Sequence, residues 1–199
     1  MKKAFTLIEV VILLVIFILV ALLVIPLSID DTIQARNVSK WKQVQSDSQE
    51  IPMHINTFSE NNSNEIDLQT FVAALVKVHP LNKVVTYNVK FLNGDKSSAD
   101  YTFSEKFITD NSGTLAFNWF KSPHYDKKTK RYIFGVIMYD VNGKQKPNVW
   151  GKDVFGMNIF KDAIEPFGKY HDADEIEFDC SRHGTGLYCS SYYLNGGNF

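Results

Sequence analysis

The sequence predicts an α+β fold: a long N-terminal helix, transmembrane in its first half and amphipathic in its second, packed on an antiparallel β-sheet. Three observations carry that expectation. The run from Phe5 to Ile25 is apolar except for Thr6 and Glu9, and the positions after it keep helical spacing. The remainder alternates short stretches rich in β-branched and aromatic residues with Asn-Gly, Asn-Ser-Gly and Ser-Pro turn signals. With 45% hydrophobic and 22% charged residues among 199, the chain has the composition of a globular domain, which excludes wholesale disorder. Lys and Arg number 21 against 22 Asp and Glu, so no net field draws it to nucleic acid, and no such partner is expected.

The first element is the apolar run. Its 21 residues span roughly 31 Å as a helix at about 1.5 Å each, close to the hydrocarbon thickness of about 30 Å. Lys2 and Lys3 precede it and Asp30 and Asp31 follow, so the positive-inside rule keeps the N-terminus cytoplasmic and exports everything after Pro26. A secretory signal peptide fits less well. The run exceeds the usual core of about 7 to 15 residues, and its exit, Val24-Ile25-Pro26-Leu27-Ser28, has no small-x-small cleavage site. Glu9 sets the segment apart from a plain anchor, because an acidic group costs about 2.5 to 3.5 kcal/mol near the bilayer centre and less near its edge, and so calls for a partner.

Lys2-Lys3-Ala4-Phe5-Thr6-Leu7-Ile8-Glu9-Val10 resembles the start of type IV prepilins and type II secretion pseudopilins. In that family a basic leader is cut just before a Phe, and a Glu stands fifth in the mature chain. The resemblance implies processing between Ala4 and Phe5, N-methylation of Phe5 and an assembly role for Glu9. Pro26 lies where many members kink their helix. Ala4 stands where the family usually has Gly, so slower processing at worst is expected. The physics is simple: an α-amino group at Phe5 and a carboxylate at Glu9 are each costly in lipid, and pairing them between neighbouring subunits makes assembly favourable and directional.

The expected organisation is a leader at 1–4, a transmembrane helix at 5–27, an exported helical stem at 28–57 and an exported α+β domain at 58–199. Ile29, Ile33, Val38, Trp41, Val44 and Ile51 continue the helical period, and Pro52 is expected to end or kink the stem. The stretch 60–64 reads as a loop. A second helix is predicted from an Asp67 N-cap to the residue before Pro80, with Phe71, Val72, Leu75, Val76 and Val78 as its apolar face. Strands are predicted at Val84–Phe91, Thr114–Phe120, Arg131–Asp140 and Val154–Phe160.

Of the exported stretches, 140–153 is the richest in chemistry. Asp140, Asn142, Asn148 and Asp153 are oxygen ligands of the kind calcium prefers, and the stretch resembles loops near the C-terminus of some pilin-like proteins; the family's major pseudopilin uses calcium in its C-terminal region. The spacing departs from an EF-hand, since Lys144 stands at an acidic position and the Gly comes two positions early. Lys144, Lys146 and Lys152 outnumber the aspartates, and Asn, Gly and Pro make turns without metals, so a structural turn is the preferred reading and calcium the candidate cofactor. Cys180 and Cys189, the only cysteines, are expected to pair as a disulfide in an exported domain.

His54, His79, His124, His171 and His183 show no metalloprotease or zinc-finger spacing, and Gly184-Thr185-Gly186 lacks the context of a phosphate loop. The acidic run 172–177 could supply paired carboxylates for a hydrolase, but a solvated face is the better reading, and no enzymatic activity is expected. The functional expectation is a structural filament subunit of a type II secretion pseudopilus or type IV pilus, held in the inner membrane, with other subunits, prepilin peptidase and the assembly platform as partners. The alternative is a membrane-anchored extracytoplasmic binding module whose loops recognise a ligand.

Overall fold

Helix α1 spans Leu7–Ser48, with Pro26 inside its helical backbone. It belongs to a computed structural model that describes residues 7–58, 66–96, 103, 105–109 and 113–198, except for the side chains of 23–29 and 56–58. Two compact units divide the chain, one ending at Arg36 and the other running Asn37–Asn198. In the first, every side chain from Leu7 to Val20 is exposed. Among the described residues no helix is long and apolar enough to cross a membrane. The rest of the expected span falls on Phe5 and Thr6 and on the side chains of 23–29, which lie outside the described residues.

In the second unit Val38, Trp41 and Val44 are buried one above another along α1. The burial begins at Asn37 rather than at Ile33, which is 38% exposed. Proline 52 acts upstream of itself. Without an N–H it cannot bond to the Ser48 carbonyl, so α1 ends at Ser48 and α2, Ile51–Phe58, starts afresh with Pro52 in its first turn, where that N–H is not needed. Helix α3 is Leu68–Val78, capped as expected by Asp67, which accepts from the Thr70 N–H at 2.9 Å. Its buried residues are Phe71, Ala74 and Leu75, so the face is turned toward Ala74 and away from Val76, which is exposed.

The sheet is a six-stranded antiparallel meander in which each strand pairs with the next in sequence. Its strands are β1 Leu81–Val85, β2 Lys106–Thr109, β3 Thr114–Asp126, β4 Arg131–Asp140, β5 Val154–Ile159 and β6 Ile164–Pro166. Strand β4 has the predicted bounds. The first predicted strand is corrected: β1 ends at Val85, and 86–91 leaves the sheet to bond with the 148–150 loop, although Val89 and Phe91 are buried there. The Ser122-Pro123 signal marks no chain reversal. It sits at a register irregularity between Trp119 and His124 inside β3, where a residue without an N–H does least harm. Helices α4, Ala173–Asp179, and α5, Cys189–Tyr192, complete the unit.

Strands β4 and β5 are buried on both faces. Ile137, Tyr139, Phe155, Met157 and Ile159 pack with Trp41, Val44, Phe71 and Leu75 on the helix side. Val136, Met138 and Val154 pack with Trp150, Phe167 and Leu187 on the other. That double burial makes β4 read as a continuous apolar run rather than an alternating one. Gly156 admits the second layer, since a Cβ there would come within 2.2 Å of the Phe167 ring.

Candidate functional site

The loop from Asp140, at the end of β4, to Asp153, just before β5, gathers the four residues that the sequence singled out. It is held from outside by the extended segment after β1: the Lys90 N–H donates to the Asn148 carbonyl (3.0 Å) and the Trp150 N–H to the Lys90 carbonyl (2.9 Å). Left-handed conformations at Gly143 (φ 69°), Asn148 (φ 53°) and Gly151 (φ 81°), with a cis Lys146–Pro147 bond, fold the loop inward. A Cβ at Gly151 would lie 2.5 Å from Cys189 Sγ, so loop and disulfide pack directly on one another.

Asp140 and Asp153 are both fully buried. Asp153 is a brace. Its Oδ2 accepts from the Asn148 N–H (2.8 Å) and Asn142 Nδ2 (3.1 Å), and its Oδ1 from the Val149 N–H (2.7 Å). Asp140 accepts from the Tyr87 hydroxyl (2.7 Å) and the Asn142 N–H (3.2 Å), and Tyr87 also meets Thr114 Oγ1. Burial, reinforced by the Asp153 charge, pushes the Asp140 carboxyl up to about 8, and burial raises Asp153 as well. Lys144, Lys146 and Lys152, which the sequence set against a cation, are all exposed, and the cation whose charge acts on Asp140 is instead the buried Lys106.

The donor set would suit a hard cation at one point, provided that the Asn148 amide turns its oxygen inward. The inward terminal atom of the Asn148 amide lies 3.2 Å from Asp140 Oδ2, 3.0 Å from the Gln145 carbonyl and 3.1 Å from the Gly143 carbonyl. With nitrogen inward, two hydrogens face three acceptors and the loop closes on itself. With oxygen inward, four oxygens face one another, an arrangement that a cation between them or a proton on Asp140 makes favourable. Asn142 Oδ1 nearby is buried and accepts no hydrogen bond. Calcium would thus be held by Asp140, the Asn148 amide and the two carbonyls, with Asp153 as support, and would supply positive charge that ties the loop together. Among the described residues no three His, Cys, Asp or Glu side chains gather where they could hold a metal, so such a site depends on amide and carbonyl oxygens.

Cys180 and Cys189 form the expected disulfide, with Cα atoms 4.8 Å apart. Just before that loop, Asp179 accepts from three groups within it, the Thr185 N–H (2.9 Å), the Thr185 hydroxyl (2.6 Å) and the Tyr188 N–H (2.8 Å), a brace with no obvious signal in the sequence. Of the residues expected to act in processing and assembly, Glu9 lies in the first turn of α1 and is exposed; an acidic side chain there suits the helix dipole. Ala4 and Phe5 lie outside the described residues.

Two carboxylates of the acidic run have assigned places. Asp172 stands at the N-cap position of α4 without a side-chain capping bond, and Glu175 is taken by Lys128 (3.0 Å) and His171 (2.8 Å). Sequence reasoning missed a buried Ser48–His79 contact of 2.9 Å. The Ser48 hydroxyl donates its one proton to the Val44 carbonyl (2.7 Å) and must accept from the imidazole, so it is a packed polar pair and not a poised nucleophile. No family model, no curated protein and no solved structure matches this chain.

Proposed function

We propose that the chain is a pilin-like structural subunit of a type II secretion pseudopilus or type IV pilus, assembled from the inner membrane after prepilin peptidase processing. The observation that carries this reading is helix α1, with Glu9 in its first turn among apolar side chains exposed from Leu7 to Val20. A helix that is apolar all round needs cover, supplied by lipid before assembly and by neighbouring helices after it. Within the filament the Glu9 carboxylate takes the Phe5 α-amino group of an adjoining copy, and the assembly platform drives subunit addition.

The distal part of α1 supports the same reading, because Val38, Trp41 and Val44 fix it to the sheet and so give the stem a defined head. The head lies outside the cytoplasm, in the periplasm or beyond, and the Cys180–Cys189 bridge suits such an oxidising compartment. The loop 140–153 serves as a structural element of that head, with calcium as the cation its oxygens suit.

Intact-mass measurement of the membrane-extracted protein tests the proposal. Loss of residues 1–4 together with one added methyl is the expected result. A full-length chain would overturn it and leave a membrane-anchored binding module.

A further inference from the structure

Beside strand β6, the turn Gly168–His171 and the hairpin end of β3 enclose a cleft of about 180 Å³ that the filament reading does not use. Asn158, Glu165, Lys169, Tyr170, His171 and Tyr188 contribute to its lining. We propose that this cleft binds one ring of a neutral saccharide. The inference is independent of the filament reading, since every residue it uses belongs to the sheet-bearing unit.

The first argument is a pre-positioned aromatic face. The Tyr170 ring is 44% exposed yet held in place: Arg131 Nη2 donates to its hydroxyl at 2.7 Å. Arg131 is itself fixed by the buried Glu165 at 2.6 Å and lies 3.9 Å over the Phe160 ring. On the same lining His171 and Tyr188 pack ring to ring at 4.2 Å. A rigid, exposed aromatic loses little entropy when a ligand's apolar face settles on it, and the C–H face of a pyranose is such a surface.

The second argument is charge. Glu165 is matched by Arg131 and Lys169, and Glu175 by Lys128. Asp126 accepts from the Lys128 N–H, the Thr129 N–H and the Thr129 hydroxyl of its own turn. The lining itself carries two carboxylates, Asp126 and Glu165, and two lysines, Lys128 and Lys169, so nothing there selects a charged ligand.

The third is Asn158. It stands on β5 between ladder partners Val136 and Glu165, lines the cleft and makes no side-chain hydrogen bond among the described residues. A free carboxamide offers a donor and an acceptor side by side, the pair that two adjacent hydroxyls require. The volume is small against the roughly 300–1,000 Å³ of pockets that enclose a drug-sized ligand, which suits a single ring at the end of a longer glycan.

The test uses the full-length protein in detergent micelles on an array of immobilised glucose, galactose, mannose, N-acetylglucosamine, glucuronic acid and sialic acid, followed by titration with the best free monosaccharide. Saturable binding of a neutral sugar, with Kd on the order of 1 mM, is expected. Asn158→Ala and Tyr170→Ala should each weaken it about tenfold or more, about 1.4 kcal/mol. Tyr170→Phe, which keeps the ring but loses the Arg131 hydrogen bond, should weaken it less than Tyr170→Ala does, and Phe178→Ala on exposed α4 should leave it unchanged. Thermal melts establish that each variant is folded, and because Tyr170 is exposed its variant remains informative if Asn158→Ala is unstable. Absence of saturable binding, retention of the acidic sugars alone, or equal binding by folded Tyr170→Ala protein would each overturn the inference.

Discussion

The indole Nε1 of Trp41, on helix α1, donates to the backbone carbonyl of Ser190, on helix α5, at 2.9 Å across 149 residues of sequence. The same indole is stacked on Phe155 with ring centroids 5.0 Å apart, and it is fully buried. One side chain therefore joins the helical stem, the central sheet and the C-terminal disulfide region.

Trp41→Ala should cost about 3–5 kcal/mol, since it opens a cavity and leaves a buried carbonyl without its donor. Trp41→Phe retains most of the stacking and should cost about 1–3 kcal/mol, the penalty for the unsatisfied Ser190 carbonyl. Urea midpoints of the two variants give the comparison, and a negligible loss in Trp41→Phe would show that the hydrogen bond contributes nothing beyond packing.

Glu9→Ala should abolish filament formation while the protein still accumulates in the membrane, because the substitution removes the carboxylate that draws a neighbour's amino terminus and makes the helix more apolar. Shearing followed by electron microscopy reads filaments, and immunoblotting of membranes reads the pool. Undiminished filaments would remove the assembly role given to Glu9.

Calcium should raise the melting temperature. At a concentration 100 times Kd the gain is about 2.7 kcal/mol. Asp140→Asn should remove that response, and isothermal titration should register the binding heat. No shift and no heat at millimolar calcium would mean that the Asn148 nitrogen faces the Asp140, Gly143 and Gln145 oxygens and that the loop is closed by hydrogen bonds alone.

Replacing Cys180 and Cys189 together by Ser should destabilise the protein by about 2.5–3 kcal/mol on the chain-entropy view of a short closed loop. Reduction of the native protein with dithiothreitol should give a similar loss in urea unfolding. A loss well under 1 kcal/mol would mean that the Asp179 brace already holds the loop shut.

Stability should fall as the pH drops below 6.5 because His79 is buried neutral. Burial lowers its pKa from the ordinary value of 6.5, with Asp47 opposing in part, so in the interval beneath 6.5 the unfolded chain binds a proton that the folded one refuses. Its contribution is complete above 6.5 and is lost toward the lowered folded value. His79→Gln should flatten this part of the pH–stability profile, measured by urea unfolding at stepped pH. An unchanged slope would show that other groups set it.

Much of the architecture was legible because local chemistry decided it. The Asp67 cap, the stop before Pro80 and the bounds of β4 follow from side-chain capping, the missing proline N–H and β-branched composition. Three features were not legible. Tyr87, Val89 and Phe91 look like a strand but bury themselves against the 148–150 loop, an outcome set by a partner far along the chain. The short strands β2 and β6 have too few residues to show a period. Pro52 acts on the carbonyl four residues upstream, which moved the break to the Gln49-Glu50 turn.

By itself the sequence determined the α+β class, the apolar helix with its one carboxylate, the cysteine pair and the four polar residues of the 140–153 loop, since each depends on residue type and near spacing. Only the tertiary structure decided that Asp140 and Asn148 converge while Asp153 braces the loop. It likewise decided that the neighbouring lysines face solvent, and that Arg131 and Glu165 hold Tyr170 over a cleft. Those relations depend on distance and burial between residues remote in the chain, and the free energy of a charge or hydrogen bond is set by that environment rather than by neighbours in sequence.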